Sequence, residues 1–213
     1  PFPTLMLIEG DHGTGKSALA AQFMKGFLQS GKKILCVTEN TVKEYIENMK
    51  AITFNFSTAF LRNRLTIMPL HMYGVQWNKE QSAYLLPVVG KYIGNSFKEH
   101  NCVVIDSLSL LTVFSDASRI LEFFTQCKYL VARGMSIIIT IHPEDIPPDL
   151  RMRVKGGVDV YLKLGSTNIG GKDVKTLKIV KLIGAKENTD SGFAFEVDMT
   201  FGIKIVPISM ANA

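Results

Sequence analysis

At 213 residues and 46% hydrophobic, the chain is long enough for one sizeable core and too short for two full ones, so a single domain over residues 1–213 is expected. No run approaches the roughly 18 consecutive apolar residues of a membrane span, no charged-then-apolar leader opens the sequence, and the three cysteines lack C-x-x-C spacing; a soluble, intracellular protein with reduced core cysteines is expected. The net charge of +5 is mild but lies mostly beyond residue 150, where ten Lys and Arg stand against six Asp and Glu; such a segment can meet nucleic acid, an acidic partner or a neighbouring subunit's phosphates, or be an ordinary solvated face.

In chain order, "PTLMLIE" (3–9) predicts a buried strand. "GDHGTGKS" (10–17) follows, and then a helical pattern from Lys16 toward Ser30 that Gly31 is placed to stop. "KKILCVT" (32–38) reads as a second strand, and Thr41 with Glu44 stands at capping-box spacing, so a helix is expected from there to Lys50. An irregular stretch leads to a third strand, "LTIMPL" (65–70). The lone Trp77 and the nearby "HMYG" carry no readable signal beyond packing. Residues 78–100 are helical in pattern, but Pro87 and Gly90 should kink or split them.

"NCVVIDS" (101–107) is a continuous β-branched run with a carboxylate at its end, as a fully buried strand would have. Residues 115–134 place Ile120, Phe123, Phe124, Cys127, Leu130 and Val131 on one helical face, and Gly134 ends the pattern; the stripe reads as core. "MSIIITI" (135–141) is the fifth strand, and residues 142–157, with three prolines and mixed charge, read as an irregular loop outside the core. The pattern then changes: "VDVYLKLG", "VKTLKIVKLIG", "GFAFEVD" and "GIKIVPI" lie between Gly-rich turns and suggest antiparallel strands. Strands alternating with helices and then a run of strands argue for an α/β, three-layer core with a mostly parallel sheet and a C-terminal antiparallel extension.

The chemistry concentrates at residues 10–17. The spacing of Gly10, four residues, Gly15, Lys16 and Ser17, between a strand and a helix, is that of a phosphate-binding loop. Glycines there let backbone N–H groups converge on phosphates while the helix adds its positive end. Asp11, His12, Gly13 and Thr14 complete the loop; Lys16 would neutralise phosphate charge and Ser17 would ligate Mg²⁺. Asp106, ending a strand, is the natural partner of the loop, a carboxylate that can hold the metal's water shell. A nucleotide with Mg²⁺ is the expected ligand.

Taken with "VTENT", "VVIDSLSLL", "TIHP", "VDVYLKLG" and "GIKIVP", the loop resembles the RecA superfamily nearly end to end. Within it the chain is similar to the KaiC-like ATPases, and most of all to the accessory ATP-binding proteins of the archaeal flagellum. The resemblance implies a RecA-like core that binds ATP, a homo-oligomeric ring, and service to the flagellar (archaellum) motor by docking on its hexameric ATPase, in the cytoplasm at the membrane-associated motor. It places Glu39 where RecA-like enzymes keep the glutamate that activates water, Asn40 where KaiC-like domains often carry a second glutamate, and Thr140 and His142 where a polar sensor of the γ-phosphate sits. At "KLIG" (181–184) the family places Lys-x-Arg, both reaching a neighbour's γ-phosphate. Lys181 is kept, but Ile183 occupies the arginine position, so the resemblance predicts little hydrolysis. The alternatives are a RecA-like recombination ATPase binding single-stranded DNA and a KaiC-like autokinase. The first lacks basic residues interleaved with aromatics in the expected DNA-facing loops, so nucleic acid is not expected as a partner, and the second is weakened by the single domain.

Overall fold

The computed structural model describes residues 2–70, 78–169, 171–184 and 192–206; Trp77 and "HMYG" lie outside them. The chain begins with β1 (Leu5–Glu9), buried along its whole length, and α1 (Lys16–Gln29), which lays Ala18, Leu19, Ala20, Ala21 and Met24 onto the sheet. Gly31, at φ 80°, closes this helix and lets Lys32 N–H turn back to the Phe27 carbonyl. β2 (Ile34–Thr38) follows. Then α2 (Val42–Ala51) starts on the expected capping box: Thr41 accepts from Glu44 N–H while Glu44 reaches back to Thr41 N–H.

The stretch read as irregular contains a short helix, α3 (Ser57–Leu61), before β3 (Leu65–Pro69). The helical pattern of residues 78–100 is split into α4 (Lys79–Ser82) and α5 (Leu85–Asn95), with a 3₁₀ turn after it, but the break falls at residues 83–84 and α5 runs through both Pro87 and Gly90, the residues expected to break it. Pro87 falls in the first turn of α5, where a missing N–H costs nothing. Next come β4 (Cys102–Asp106), the short α6 (Ser109–Thr112), α7 (Ala117–Ala132) capped by Asp116, and β5 (Ser136–Ile141).

Residues 142–157 are not a loop throughout. They hold α8 (Pro148–Gly157), which buries Leu150 and Val154 one turn apart. Two of the three prolines that suggested irregularity, Pro147 and Pro148, stand at the N-cap and the first helical position, where a fixed φ and an absent N–H suit a helix start. The chain finishes with β6 (Val160–Ile169), β7 (Lys172–Leu182), β8 (Gly192–Asp198) and β9 (Gly202–Val206).

Among the described residues nine strands form one sheet in the order β3-β2-β4-β5-β1-β6-β7-β8-β9. Pairing is parallel from β3 through β6, so "VDVYLKLG" belongs to the parallel part along its β1 edge. It turns antiparallel only toward β7, and β8 and β9 continue that sense. The mostly parallel sheet with an antiparallel C-terminal extension is thus as expected. One apolar cluster lies on the α5, α7 and α8 side and a second on the α1 and α2 side, making three layers. Cys36, Cys102 and Cys127 are free and buried within these clusters, and burial pushes each thiol up, which keeps it protonated and inert. Among the described residues no helix is long and apolar enough to cross a membrane.

Candidate nucleotide site

Parallel strands deliver their C-terminal ends to one edge of the sheet, and that edge is where open α/β sheets place ligands. Here it brings together the segments after β1, β2, β4 and β5. The loop 10–17 leaves β1 and is anchored to the sheet by Gly10 N–H donating to the Ile141 carbonyl at 3.2 Å. Thr14, buried, donates from Oγ1 to the Asp11 carbonyl at 2.7 Å and tightens the turn. Gly15 adopts φ 95°, a left-handed conformation that a side chain resists, and starts α1 so that its free N–H groups face the cleft.

Lys16 Nζ donates to the Gly10 carbonyl at 2.7 Å and the Asp11 carbonyl at 2.8 Å. Burial lowers its pKa, while Asp106, Asp145 and Asp11 act in the opposite direction. Ser17 Oγ donates to Asp106 Oδ1 at 3.0 Å, so the two oxygens expected at one cation do lie side by side. Asp106 is buried, and burial raises its pKa against the hydrogen bonds of Thr140 and Ser17 and the charge of Lys16. A hydroxyl beside a carboxylate is a hard-oxygen donor pair of the kind that, with waters and phosphate oxygens, suits Mg²⁺.

The cleft measures about 530 Å³, and its walls include His12, Gly13, Lys16, Ser17, Glu39, Asn40, Asp106 and His142. Glu39, after β2, faces it with Oε1 held by Ser107 Oγ and Leu110 N–H, each at 3.1 Å. Asn40 turns back on Thr38 Oγ1. His142 stands with Nε2 3.5 Å from Asp11 Oδ1 and its ring centroid 4.9 Å from that of His12. His12, one of the residues completing the loop, therefore lines the cleft beside the residue expected to sense phosphate.

Two residues carried over from the resemblance do not line this cleft, Thr140 and Lys181, of which the second was expected to serve a neighbour's site. Thr140 has no exposed surface; it sits behind Asp106 and donates to its Oδ1 at 2.8 Å, so it positions the carboxylate rather than facing the cleft. Lys181 does not line the cleft of its own chain: Nζ donates to the Gly156 carbonyl at 2.6 Å, at the end of α8. Ile183 is 51% exposed beside it.

Sequence reasoning missed several members. Ser107 and Ser109 oxygens lie 3.0 Å apart, and Ser109 donates to Asp145 Oδ2 at 2.9 Å. Asp145 Oδ2 also accepts His142 N–H at 2.5 Å, so a chain of polar groups links Glu39 to His142 across β4 and β5. Ser107 and Ser109 lie within the quoted "VVIDSLSLL", but nothing local marks Asp145. Lys175 of β7 and Val197 of β8 complete the lining from the antiparallel extension, together with Ile52 after α2. Glu9, the last residue of β1, is almost fully buried and paired at 2.6 Å with Lys155 of α8; Tyr161 OH donates to it at 3.0 Å. Burial works against the charge on Lys155, but the Glu9 and Tyr161 contacts together outweigh it and the ammonium pKa is raised.

A mostly parallel sheet of this order, with a glycine-rich loop after its central β1 and a buried carboxylate as the last residue of β4, defines a RecA-like, KaiC-type ATPase domain. The family model described as "ATPase: KaiC" matches residues 1–210. An archaeal flagellar ATP-binding protein FlaH from Sulfolobus acidocaldarius is 41% identical over 214 residues, covering 100% of this chain and 92% of that protein; the FlaH of Methanocaldococcus jannaschii is 28% identical, covering 99% and 90%. The crystal structure of flagellar accessory protein FlaH from M. jannaschii matches the fold with a TM-score of 0.85 at 22% identity, over 97% of this chain and 91% of that one. A KaiC-like protein from Pyrococcus horikoshii matches at 0.77 and 20% identity, with the same coverages. The chain belongs to the FlaH family of archaeal flagellar ATP-binding proteins, within the KaiC-type ATPases.

Proposed function

We propose that this chain, as one domain over residues 1–213, is an ATP-binding regulatory subunit of the archaeal flagellar motor that binds Mg-ATP at residues 10–17, hydrolyses it slowly, assembles as a ring and docks on the motor ATPase at the membrane. The observation that carries the reading is the cleft itself, where Lys16, Ser17, Asp106 and Glu39 converge around about 530 Å³. Ser17 and Asp106 would hold Mg²⁺, directly or through its waters, and the ion would neutralise phosphate charge. Lys16 would exchange its loop carbonyls for phosphate oxygens, and Glu39, already fixed by Ser107 and Leu110 N–H, would orient a water.

Nothing in this set supplies the transition-state cation that an arginine finger provides, because Ile183 occupies its place. Nucleotide then acts as a conformational ligand: Glu39, Ser107, Ser109, Asp145 and His142 are one connected set, so a γ-phosphate touching either end biases the other.

The test is co-purification of the full chain with the archaellum motor ATPase, with and without Mg-ATP, beside a turnover assay. Nucleotide-dependent association with turnover near background is the expected outcome. Association indifferent to nucleotide, or turnover on the order of 1 s⁻¹ by the chain alone, overturns the regulatory reading.

A further inference from the structure

We propose that Lys175, on the antiparallel extension, is a ligand of the nucleotide's phosphate chain, supplied by the same subunit that owns the loop. The inference rests on the nucleotide-binding reading above and adds a residue outside the loop motif. β7 and β8 lie directly against the loop: a Cβ on Gly15 would come within 3.2 Å of the Phe195 ring and 3.5 Å of Lys175 Cδ. From that position Lys175 Nζ donates to the Gly13 carbonyl at 2.7 Å and lines the same cleft as Lys16 and Ser17. Lys16 holds Gly10 and Asp11 at the other end of the loop, so two ammonium groups bracket it.

The charge on Lys175 is what points to a ligand. The side chain is half-buried, its cross-strand neighbour on β8 is the apolar Phe195, and among the described residues no carboxylate pairs with it. An ammonium has three donors, and a neutral carbonyl satisfies one without balancing the charge. A polyphosphate in the cleft supplies both the remaining acceptors and the counter-charge, in a setting less screened than open water. The other β7 lysine in question, Lys181, is held by Gly156 and outside the cleft, so Lys175 is the one that meets its own chain's site.

The experiment is calorimetric titration of Mg-ATP into the full chain and into Lys175→Gln, Lys175→Arg and Lys16→Ala, each checked for native circular dichroism. Gln retains a donor for Gly13 without the charge, whereas Arg retains both. Loss of a charge-assisted phosphate contact should weaken Mg-ATP binding about tenfold or more in Lys175→Gln, with Lys175→Arg within about threefold of the parent. Unchanged affinity in Lys175→Gln would mean that Lys175 only latches Gly13, and equal weakening in Gln and Arg would mean that the charge is not what the nucleotide meets; either result would overturn the inference. If Lys16→Ala loses binding while Lys175→Gln does not, the Lys175 assignment alone falls. If the parent chain itself fails to bind Mg-ATP, the nucleotide reading falls first.

Discussion

Gly15→Ala tests whether the loop has the conformation that nucleotide binding needs. Gly15 sits at φ 95°, where an L-residue pays about 1–2 kcal/mol for its Cβ against the backbone. The new Cβ would also lie 3.2 Å from Cε2 and 3.4 Å from Cζ of Phe195, so the ring must move by a few tenths of an ångström. Phe195 is 2% exposed within the cluster on the α1 side, and a close-packed ring cannot move freely, which adds about 1 kcal/mol. The total of about 2–3 kcal/mol corresponds to a melting temperature lower by roughly 5–10 °C in a domain of this size. Gly26→Ala is the control: it lies within α1 with open space around its Cβ, so the same change there should be neutral or stabilising by about 0.4–1 kcal/mol. The assay is differential scanning calorimetry of both variants, with Mg-ATP affinity measured in parallel; Gly15→Ala should also bind at least about tenfold more weakly, because the loop N–H groups are displaced. A melting temperature for Gly15→Ala equal to that of Gly26→Ala, with unchanged affinity, would refute the loop geometry argued here.

Lys16→Ala should cost at least about tenfold in Mg-ATP affinity with the fold retained, and because Nζ ties the Gly10 and Asp11 carbonyls, residues 10–17 should exchange amide hydrogens faster; parent-like binding by calorimetry would remove the loop assignment. Ile183→Arg should raise ATP turnover at least roughly tenfold if the site lies at a ring interface, and the 51% exposure of Ile183 means that arginine fits without disturbing the core; an unchanged rate in assembled protein would sink the shared-site idea. Asp106 has a pKa raised by burial, so its ionised form costs stability above the folded pKa, and that cost disappears as the pH falls through the folded pKa toward the ordinary 3.8. Asp106→Asn should therefore melt higher than the parent at pH 7–8, with the gap closing on acidification and with Mg-ATP binding lost; a gap that widens as the pH falls would contradict the sign.

The elements that the sequence foretold are those whose signals are local. Thr41 and Glu44 announce α2 because a capping box is built within one turn, and Gly31 announces the end of α1 because only one residue's φ is at stake. Residues 10–17 could be read for the same reason: the loop's glycines, lysine and serine act within eight consecutive positions. The local reading failed at α8, where two prolines looked like breakers because their place, N-cap and first helical position, depends on where the helix begins. That start was set by Leu150 and Val154 finding a buried face.

The remainder of the site was decided by sheet order. Glu39, Ser107, Asp145 and Lys175 stand far apart in the chain and have no common periodicity. They meet because β2, β4, β5 and β1 lie side by side and parallel, bringing their C-terminal ends to one edge, and because β6 reverses into β7 and carries Lys175 back over the loop. The resemblance assigns Lys181 to a neighbour's phosphate, and only the packed chain shows its ammonium resting on Gly156 of its own chain and that of Lys175 turned to Gly13. The sequence by itself determined which segments become strands, helices and the phosphate loop, since hydrogen bonding, capping and side-chain period act over a few residues. Which side chains share a charge or a ligand was left to tertiary structure, because Coulomb and hydrogen-bond contacts act over a few ångströms of space whatever their separation along the chain.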